Sequence, residues 1–262
     1  CSSDLAVEKG IDTVVGLFQK GSKNQLPANF KSGVDAIVLS YTFDHLPNPV
    51  EFLGEVREVL SEDGLLIIEI HDLSKIVERN EYCLFEHEHY IYLNKETSET
   101  VTQLCGFEII DFNLVPEHLR RGNSLLFVAK KSSKGLDVKV NLEDLSGLKT
   151  SIQSEILKLD SFVQSAIDSG KKVAGFGAGG RGVMTLAAMG TSKYFEYLVD
   201  SNPKGVELYA PRSHVKVSDL TEFRTNPVDI VIVFSYGYFD EIVASMESIG
   251  YEKDQIISML DI

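Results

Sequence analysis

The sequence predicts an α/β fold built as two α/β/α sandwiches in series. Three observations carry this expectation. Apolar runs of strand length, VDAIVLS (34–40), LLIIEI (65–70) and VDIVIVFS (228–235), suit strands buried on both faces. Segments with apolar residues at helical spacing alternate with such runs, and that alternation implies crossovers and a mostly parallel sheet. The polar, glycine-bearing stretch KGLDVKVNLEDLSG (134–147) separates two halves of similar organisation. The expected division is residues 1–132, a linker at 133–144, and residues 145–262.

Taken in order, SSDLAVEKGI reads as a helix capped by Ser2 or Ser3 and closed by Gly10. TVVGLF (13–18) reads as a short strand, and VDAIVLS as a buried one. PVEFLGEVREVLSEDG (49–64) places Val50, Phe52, Leu53, Val56, Val59 and Leu60 at helical spacing, with Gly64 as the stop. After the strand LLIIEI, TSETVTQLCG reads as a helix, and FEIIDFNLV and NSLLFVAKK as two strands joined by a polar loop. Beyond the linker, Ile152, Ile156, Leu159, Phe162 and Ile167 mark one face of a long helix. The second half then runs strand KKVAGFGAG, helix GRGVMTLAAMG, and strands EYLVDSN and VDIVIVFS. Helix YFDEIVASMESIG and a short strand, QIISML, close it.

Composition excludes several classes. A net charge of −14 lacks the clustered Lys and Arg that nucleic acids or anionic membranes require. No apolar run approaches the ~20 residues that span a bilayer. The start does not resemble a signal peptide. Three scattered cysteines form neither a disulfide framework nor a CxxC zinc site. A reducing cytoplasm is the default expectation, with the protein a monomer or weak dimer.

FEHEHYIY (85–92) packs two histidines and two glutamates into four positions. A metal site, an acid/base site and a solvated loop compete for it. His87 and His89, spaced by two, point the same way in an extended segment, with Glu88 opposite. No HExxH or distant cysteine cluster completes a ligand set, so a metal is the least favoured reading. On the residues alone, the solvated loop leads.

VAGFGAGGRG fits G-x-G-x-x-G at Gly175, Gly177 and Gly180, directly after an apolar strand and opening a helix. Asp200 follows Gly180 by 20 residues, the spacing of an acidic residue on a ribose hydroxyl. Glycines let a backbone approach phosphate at a helix N-terminus. A tight turn needing glycine for its geometry alone is the bland alternative.

DAIVLSYTFDHLPNPVEFLGEVREVLSEDGLLIIEI resembles the region around the fourth and fifth strands of class I S-adenosylmethionine-dependent methyltransferases. Within them the chain is similar to the sugar C-methyltransferases, which methylate nucleotide-linked 4-keto-6-deoxy sugars at carbon 3. Their YHEHYSY-like segment matches His87, Glu88, His89, Tyr90 and Tyr92. Their G-[YF]-G-A-x-x-[KR]-G turn matches Gly175 to Gly182, with Arg181. The V-D-x-N-P segment (Val199, Asp200, Asn202, Pro203) and the P-x-x-H segment (Pro211, His214) follow in order. Tyr236, Gly237 and Tyr238 then precede Asp240 to Ile242. His118, Asn123 and Ser124 resemble an H-G-G-S segment carrying an insertion.

The resemblance implies a truncated class I methyltransferase domain followed by a Rossmann-like C-terminal domain. It implies S-adenosylmethionine as cofactor, walled by Ser40, Tyr41, Thr42, Phe43 and His45, with Leu17 and Phe18 near the adenine. His89 is then the base that deprotonates carbon beside a ketone, oriented by Glu88 and assisted by His87. Arg181 takes the substrate's diphosphate. Tyr90, Tyr92, Asn123, Ser124, Gly175, Gly177, Asp200, Asn202, His214 and Tyr236 complete the substrate side. Glu86 stands where the family has a tyrosine, and a carboxylate donates no hydrogen bond unless protonated. Family members begin with a four-cysteine zinc module, a first strand and a glycine-rich loop. None is present, and Cys1 is not a methionine, so the chain is expected to enter after the second strand and to be inactive alone, with zinc confined to the missing module. The alternatives are an NAD-dependent oxidoreductase using the second glycine turn, or a catalytically inactive nucleotide-sugar binding module.

Overall fold

The structure is a computed structural model and describes residues 2–30, 32–85, 88–112, 114–116, 119–120, 122–138, 143–201 and 207–262. The expected residues Glu86, His87, His118 and Asn202 lie outside the described residues. The chain divides into two compact units. One comprises residues 1–76 and 87–143, the other residues 77–86 and 144–262. The structure thus differs from a simple linear division, because residues 77–86 group with the second unit.

The first unit holds α1 (Ser2–Glu8), β1 (Val34–Ser40), α2 (Pro49–Val59), β2 (Leu60–His71), α3 (Leu73–Glu78, which continues into the segment of the second unit), α4 (Lys95–Leu104), β3 (Phe107–Asp111) and β4 (Ser124–Lys131). The sheet order is β1-β2-β4-β3. Only β1 and β2 are parallel; β2 with β4 and β4 with β3 are antiparallel. In β2 the period-two rule places Leu66, Ile68 and Ile70 in the core and Ile67, Glu69 and His71 on the opposite face. The core residues pack with Leu53 and Val56 of α2 and with Phe107 and Phe127. Each such side chain, once buried, contributes ~1.5–3 kcal/mol relative to exposure. Asn94 caps α4 by accepting from the Thr97 N–H at 3.0 Å.

Three expectations fail here. TVVGLF forms no strand: Val14, Val15 and Leu17 are exposed. The first strand, β1, is an outer strand whose Ala36 and Val38 face solvent rather than a strand covered on both faces. Helix α2 stops at Val59 rather than at Gly64, because Leu60 already pairs with Val34 in the sheet. Gly64 lies where the register slips between Val34 and Ala36, and a Cβ there would lie 2.7 Å from Leu60 Cγ.

The second unit holds α5 (Leu148–Asp168), β5 (Val173–Phe176), α6 (Gly180–Ala188), β6 (Phe195–Val199), β7 (Leu208–Tyr209), β8 (Lys216–Ser218), α7 (Glu222–Thr225), β9 (Ile230–Val233), α8 (Phe239–Glu247) and β10 (Ile256–Ser258). Its sheet order is β10-β9-β5-β6-β8-β7, parallel except for β7. Both faces are covered. Ile230 and Ile232 of β9 pack with Leu159 and Val163 of α5 and Leu186 of α6. Val231 and Val233 pack with Phe223 of α7 and Ile242 and Met246 of α8. That alternation explains why IVIV (230–233) within VDIVIVFS is uniformly apolar. Residues 77–86 join the first of these layers: Tyr82 is buried there and its hydroxyl donates to Thr185 Oγ1 at 3.1 Å. No described helix is long and apolar enough to cross a membrane.

Candidate active site

Parallel pairing sets the ends of β1 and β2 side by side, with Ser40 opposite Glu69. Ligands of open α/β sheets meet strand carboxyl ends, where the chain leaves the sheet and side chains are free to converge. Beyond Ser40, Tyr41 adopts a left-handed conformation (φ 46°), uncommon for a large side chain and of the kind that clusters at functional sites. The chain then enters the 3-10 turn Phe43–His45, while β2 ends at His71. The histidine stretch is docked onto this corner by its backbone. The Tyr90 N–H donates to Asp44 O at 2.8 Å, and Asp72 bridges to Leu93. His45 Nδ1 lies 3.1 Å from Glu88 O, and a carbonyl accepts only, so that nitrogen carries the proton.

Asp44 is the hub of the cluster. It is 3% exposed, and its Oδ2 lies 3.0 Å from His71 Nδ1. The carboxylate accepts, so His71 donates from Nδ1. His45 Nε2 approaches Oδ1 at 4.0 Å. The His89 ring lies 4.6 Å from that of His45, 5.2 Å from that of His71 and 5.7 Å from Tyr92. Burial pushes the Asp44 carboxyl up, but the His71 hydrogen bond and the charges of His71, His89 and His45 outweigh it. The net shift is below the ordinary carboxylate value. An ionised carboxylate therefore sits among three imidazoles.

Glu69, on the same face of β2, gathers hydroxyls: Ser124 Oγ at 2.7 Å, Ser40 Oγ at 3.0 Å and the Tyr41 hydroxyl at 3.4 Å. Sequence reasoning passed over Asp44 and Glu69; His71, just beyond LLIIEI, was expected only to line the cleft at the strand ends, without a catalytic role. A charged residue inside LLIIEI was a usable signal for Glu69. Apart from the neighbouring His45, nothing adjacent in sequence marks Asp44, whose partners His71 and His89 come from other elements. His87 and His89 find no completing HExxH or cysteine cluster in sequence, whereas among the described residues ligand atoms of a different set, Asp44, His71 and His89, lie within 4.8 Å of one another.

Of the other expected residues, Ser40 and Thr42 are exposed beside the corner, and Phe43 is fully buried in the core. Leu17 is exposed, and Phe18 packs edge-on against Phe52 at 5.3 Å. Tyr90 is exposed, and Asn123 is buried with its carbonyl accepting from the Asp72 N–H.

In the second unit the glycine turn follows β5. Gly177 has φ 105°, and its N–H donates to Val199 O at 2.7 Å, which sets the turn beside the end of β6 and Asp200. A Cβ on Gly182 would stand 1.9 Å from Gly177 O, so the tight strand-to-helix packing is made there, and one on Gly175 would meet Leu198 at 2.4 Å. Arg181 stacks its guanidinium 3.9 Å from the centre of the Tyr236 ring, while its buried Nε has no hydrogen-bond partner among the described residues. The Tyr236 hydroxyl donates to Glu81 at 2.5 Å, and Arg79 pairs with the same carboxylate at 3.1 Å. Burial, followed by Glu81, raises the Tyr236 hydroxyl's pKa against the opposing pull of Arg181. His214 is exposed in the loop between β7 and β8 and has φ 57°.

Comparison with known proteins agrees with this architecture. The C-methyltransferase C-terminal domain model matches residues 127–260, and a methyltransferase domain model matches residues 5–111. Fold and matches together define the class as α/β methyltransferases. Within it, the chain belongs to the C-methyltransferase family. The C-methyltransferase NovU of Streptomyces niveus is 21% identical over 258 residues, which cover 91% of this chain and 60% of NovU. The chain thus spans about 60% of that relative's length. Among solved structures, the 1,6-didemethyltoxoflavin-N1-methyltransferase of Burkholderia thailandensis, with bound 1,6-didemethyltoxoflavin and S-adenosylhomocysteine, is 14% identical. It overlaps 50% of this chain and 56% of its own, with a TM-score of 0.35. A SAM-dependent methyltransferase from Archaeoglobus fulgidus is 17% identical over 49% of this chain and 80% of its own, with a TM-score of 0.34.

Proposed function

We propose that the protein containing this chain methylates carbon beside a ketone of a nucleotide-linked deoxysugar, with His89 as the base. The observation that supports this reading most is the buried, ionised Asp44 surrounded by His45, His71 and His89 at the ends of β1 and β2. A neutral imidazole accepts a proton near neutrality, and the imidazolium it becomes is stabilised by a nearby carboxylate. His89 removes the proton, the C–H electrons pass into the enolate, and the enolate carbon would bond the methyl group as the methyl–sulfur bond of the donor breaks, the sulfur keeping that electron pair and leaving as the thioether. S-adenosylmethionine, when bound, supplies an electrophilic methyl group on sulfonium. The residues present fit it in part: Ser40 and Thr42 present hydroxyls at the exposed corner, whereas Phe43 is sealed in the core.

Taken by itself, the second unit offers a glycine turn suited to a nucleotide diphosphate. Gly177 opens the backbone toward phosphate, and Arg181, stacked on Tyr236, holds a guanidinium beside the first turn of α6. Glu88, through its carbonyl, holds His45 in place. NMR of the product from the full-length protein, a nucleotide-linked 4-keto-6-deoxyhexose and methyl-13C donor tests the reading. Label bonded to ring carbon supports it, and label on oxygen or nitrogen sinks it.

A further inference from the structure

We propose that Asp44, His71 and His89 form a binding site for one first-row divalent metal ion. One ligand atom from each residue lies within 4.8 Å of the others, and where His71 Nδ1 is the ligand the ion replaces the proton of its 3.0 Å hydrogen bond to Asp44 Oδ2, which is released. Ligands on bonds of ~2.1 Å at tetrahedral angles lie ~3.4 Å apart, so side-chain shifts of less than about 1 Å bring the set to bonding distance.

The second observation concerns Asp44 Oδ1. Its side chain is 5% exposed, yet this oxygen is buried without a hydrogen-bond partner among the described residues. A buried carboxylate oxygen with no donor is costly to leave unsatisfied, and a cation satisfies it directly. The scaffold is also prearranged. Asp44 sits on the turn after β1 and His71 at the end of β2. The segment carrying His89 is pinned by the Tyr90 N–H to Asp44 O and by the bridge from Asp72 to Leu93.

Ligand chemistry selects the ion. Two imidazoles and one carboxylate suit zinc, iron(II), cobalt(II) or nickel(II) rather than calcium or magnesium, which prefer oxygen sets. Three protein ligands leave positions open for water or a substrate oxygen. His89 is half-buried, so the site communicates with solvent. Occupation engages the same imidazole that the proposed function uses as base, so metal and proton exclude each other there. That consequence rests on the proposed function; the binding itself does not.

The test uses the chain without substrate. Calorimetry with zinc at neutral pH is expected to show one equivalent bound. Asp44→Asn and His71→Ala should each weaken it at least about tenfold, the scale at which even outer-shell partners act. His214→Ala, outside the cluster, should retain it. Cobalt(II) should give ligand-field bands without thiolate charge transfer, which excludes Cys83 and Cys105 as ligands. Absence of stoichiometric uptake by the wild-type chain overturns the proposal even if a variant folds poorly. Uptake that both variants leave unchanged overturns it too. Methyl transfer measured with a chelator present remains an independent test of the base, so the two readings fail separately.

Discussion

Tyr82 shows how a single side chain ties sequence-distant parts of one unit together. Its ring is 9% exposed, and its hydroxyl reaches Thr185 on α6. Burial pushes that hydroxyl's pKa up to about 12 from 10.0. A raised folded value means stability that is fully present below pH ~10 and lost as pH climbs through ~12. Tyr82→Phe keeps the ring packing but removes the ionisation. It should cost about 1 kcal/mol at neutrality, for the lost hydrogen bond and the stranded Thr185 hydroxyl. It should also give a shallower alkaline fall in denaturation midpoint between pH 10 and 12. An unchanged slope would mean that Tyr82 ionises without hindrance in the folded protein. Glu81 acts beside it, through Tyr236 and Arg79. The sequence announced neither role, since Tyr82 depends on Thr185 and Glu81 on Tyr236, both more than a hundred positions away.

At the scale of elements, the junction from β5 to α6 is the most constrained. A methyl group on Gly182 would meet Gly177 O at 1.9 Å, whereas one on Gly179 would meet nothing within 4 Å. Gly182→Ala should therefore destabilise the second unit by about 3 kcal/mol, the upper end of overpacking costs. Gly179→Ala should stay within about 1 kcal/mol. Equal losses in urea unfolding would contradict the packing account. This junction was legible because a close strand-to-helix turn demands glycine, and β9 was legible because cover on both faces demands apolar residues throughout. The end of α2 was not, because pairing of Leu60 with Val34 overrides a helical pattern that runs on through the sequence. Nor were β7 and β8, two and three residues long, which are too short to show a period. At the site, the histidine stretch was visible as a motif, but Asp44 was not. Its importance arises from three elements meeting, which no local spacing encodes.

Over the whole molecule, the chain passes from the first unit into the second for residues 77–86, returns, and leaves again at Asp144. The segment that directly precedes the histidine stretch is thereby built into the unit carrying the glycine turn. In native-state hydrogen exchange, cooperative units open together. The amides of Leu84 and Phe85, bonded to Glu81 O and Tyr82 O, should lose protection together with β5 and β9. Exchange in step with β1 and β2 would show that residues 77–86 belong energetically to the first unit.

The central claim is that the imidazole of His89, set against Asp44, removes a proton from carbon beside a ketone. The most direct measurement is proton NMR of a nucleotide-linked 4-keto-6-deoxyhexose in D2O with the full-length protein and S-adenosylhomocysteine. The signal of the proton at carbon 3 should fade as deuterium enters. With His89→Ala, exchange should slow by roughly 10²–10⁴-fold, the usual scale for loss of a general base, while the nucleotide sugar still binds. Exchange that proceeds at the wild-type rate in His89→Ala would contradict the account.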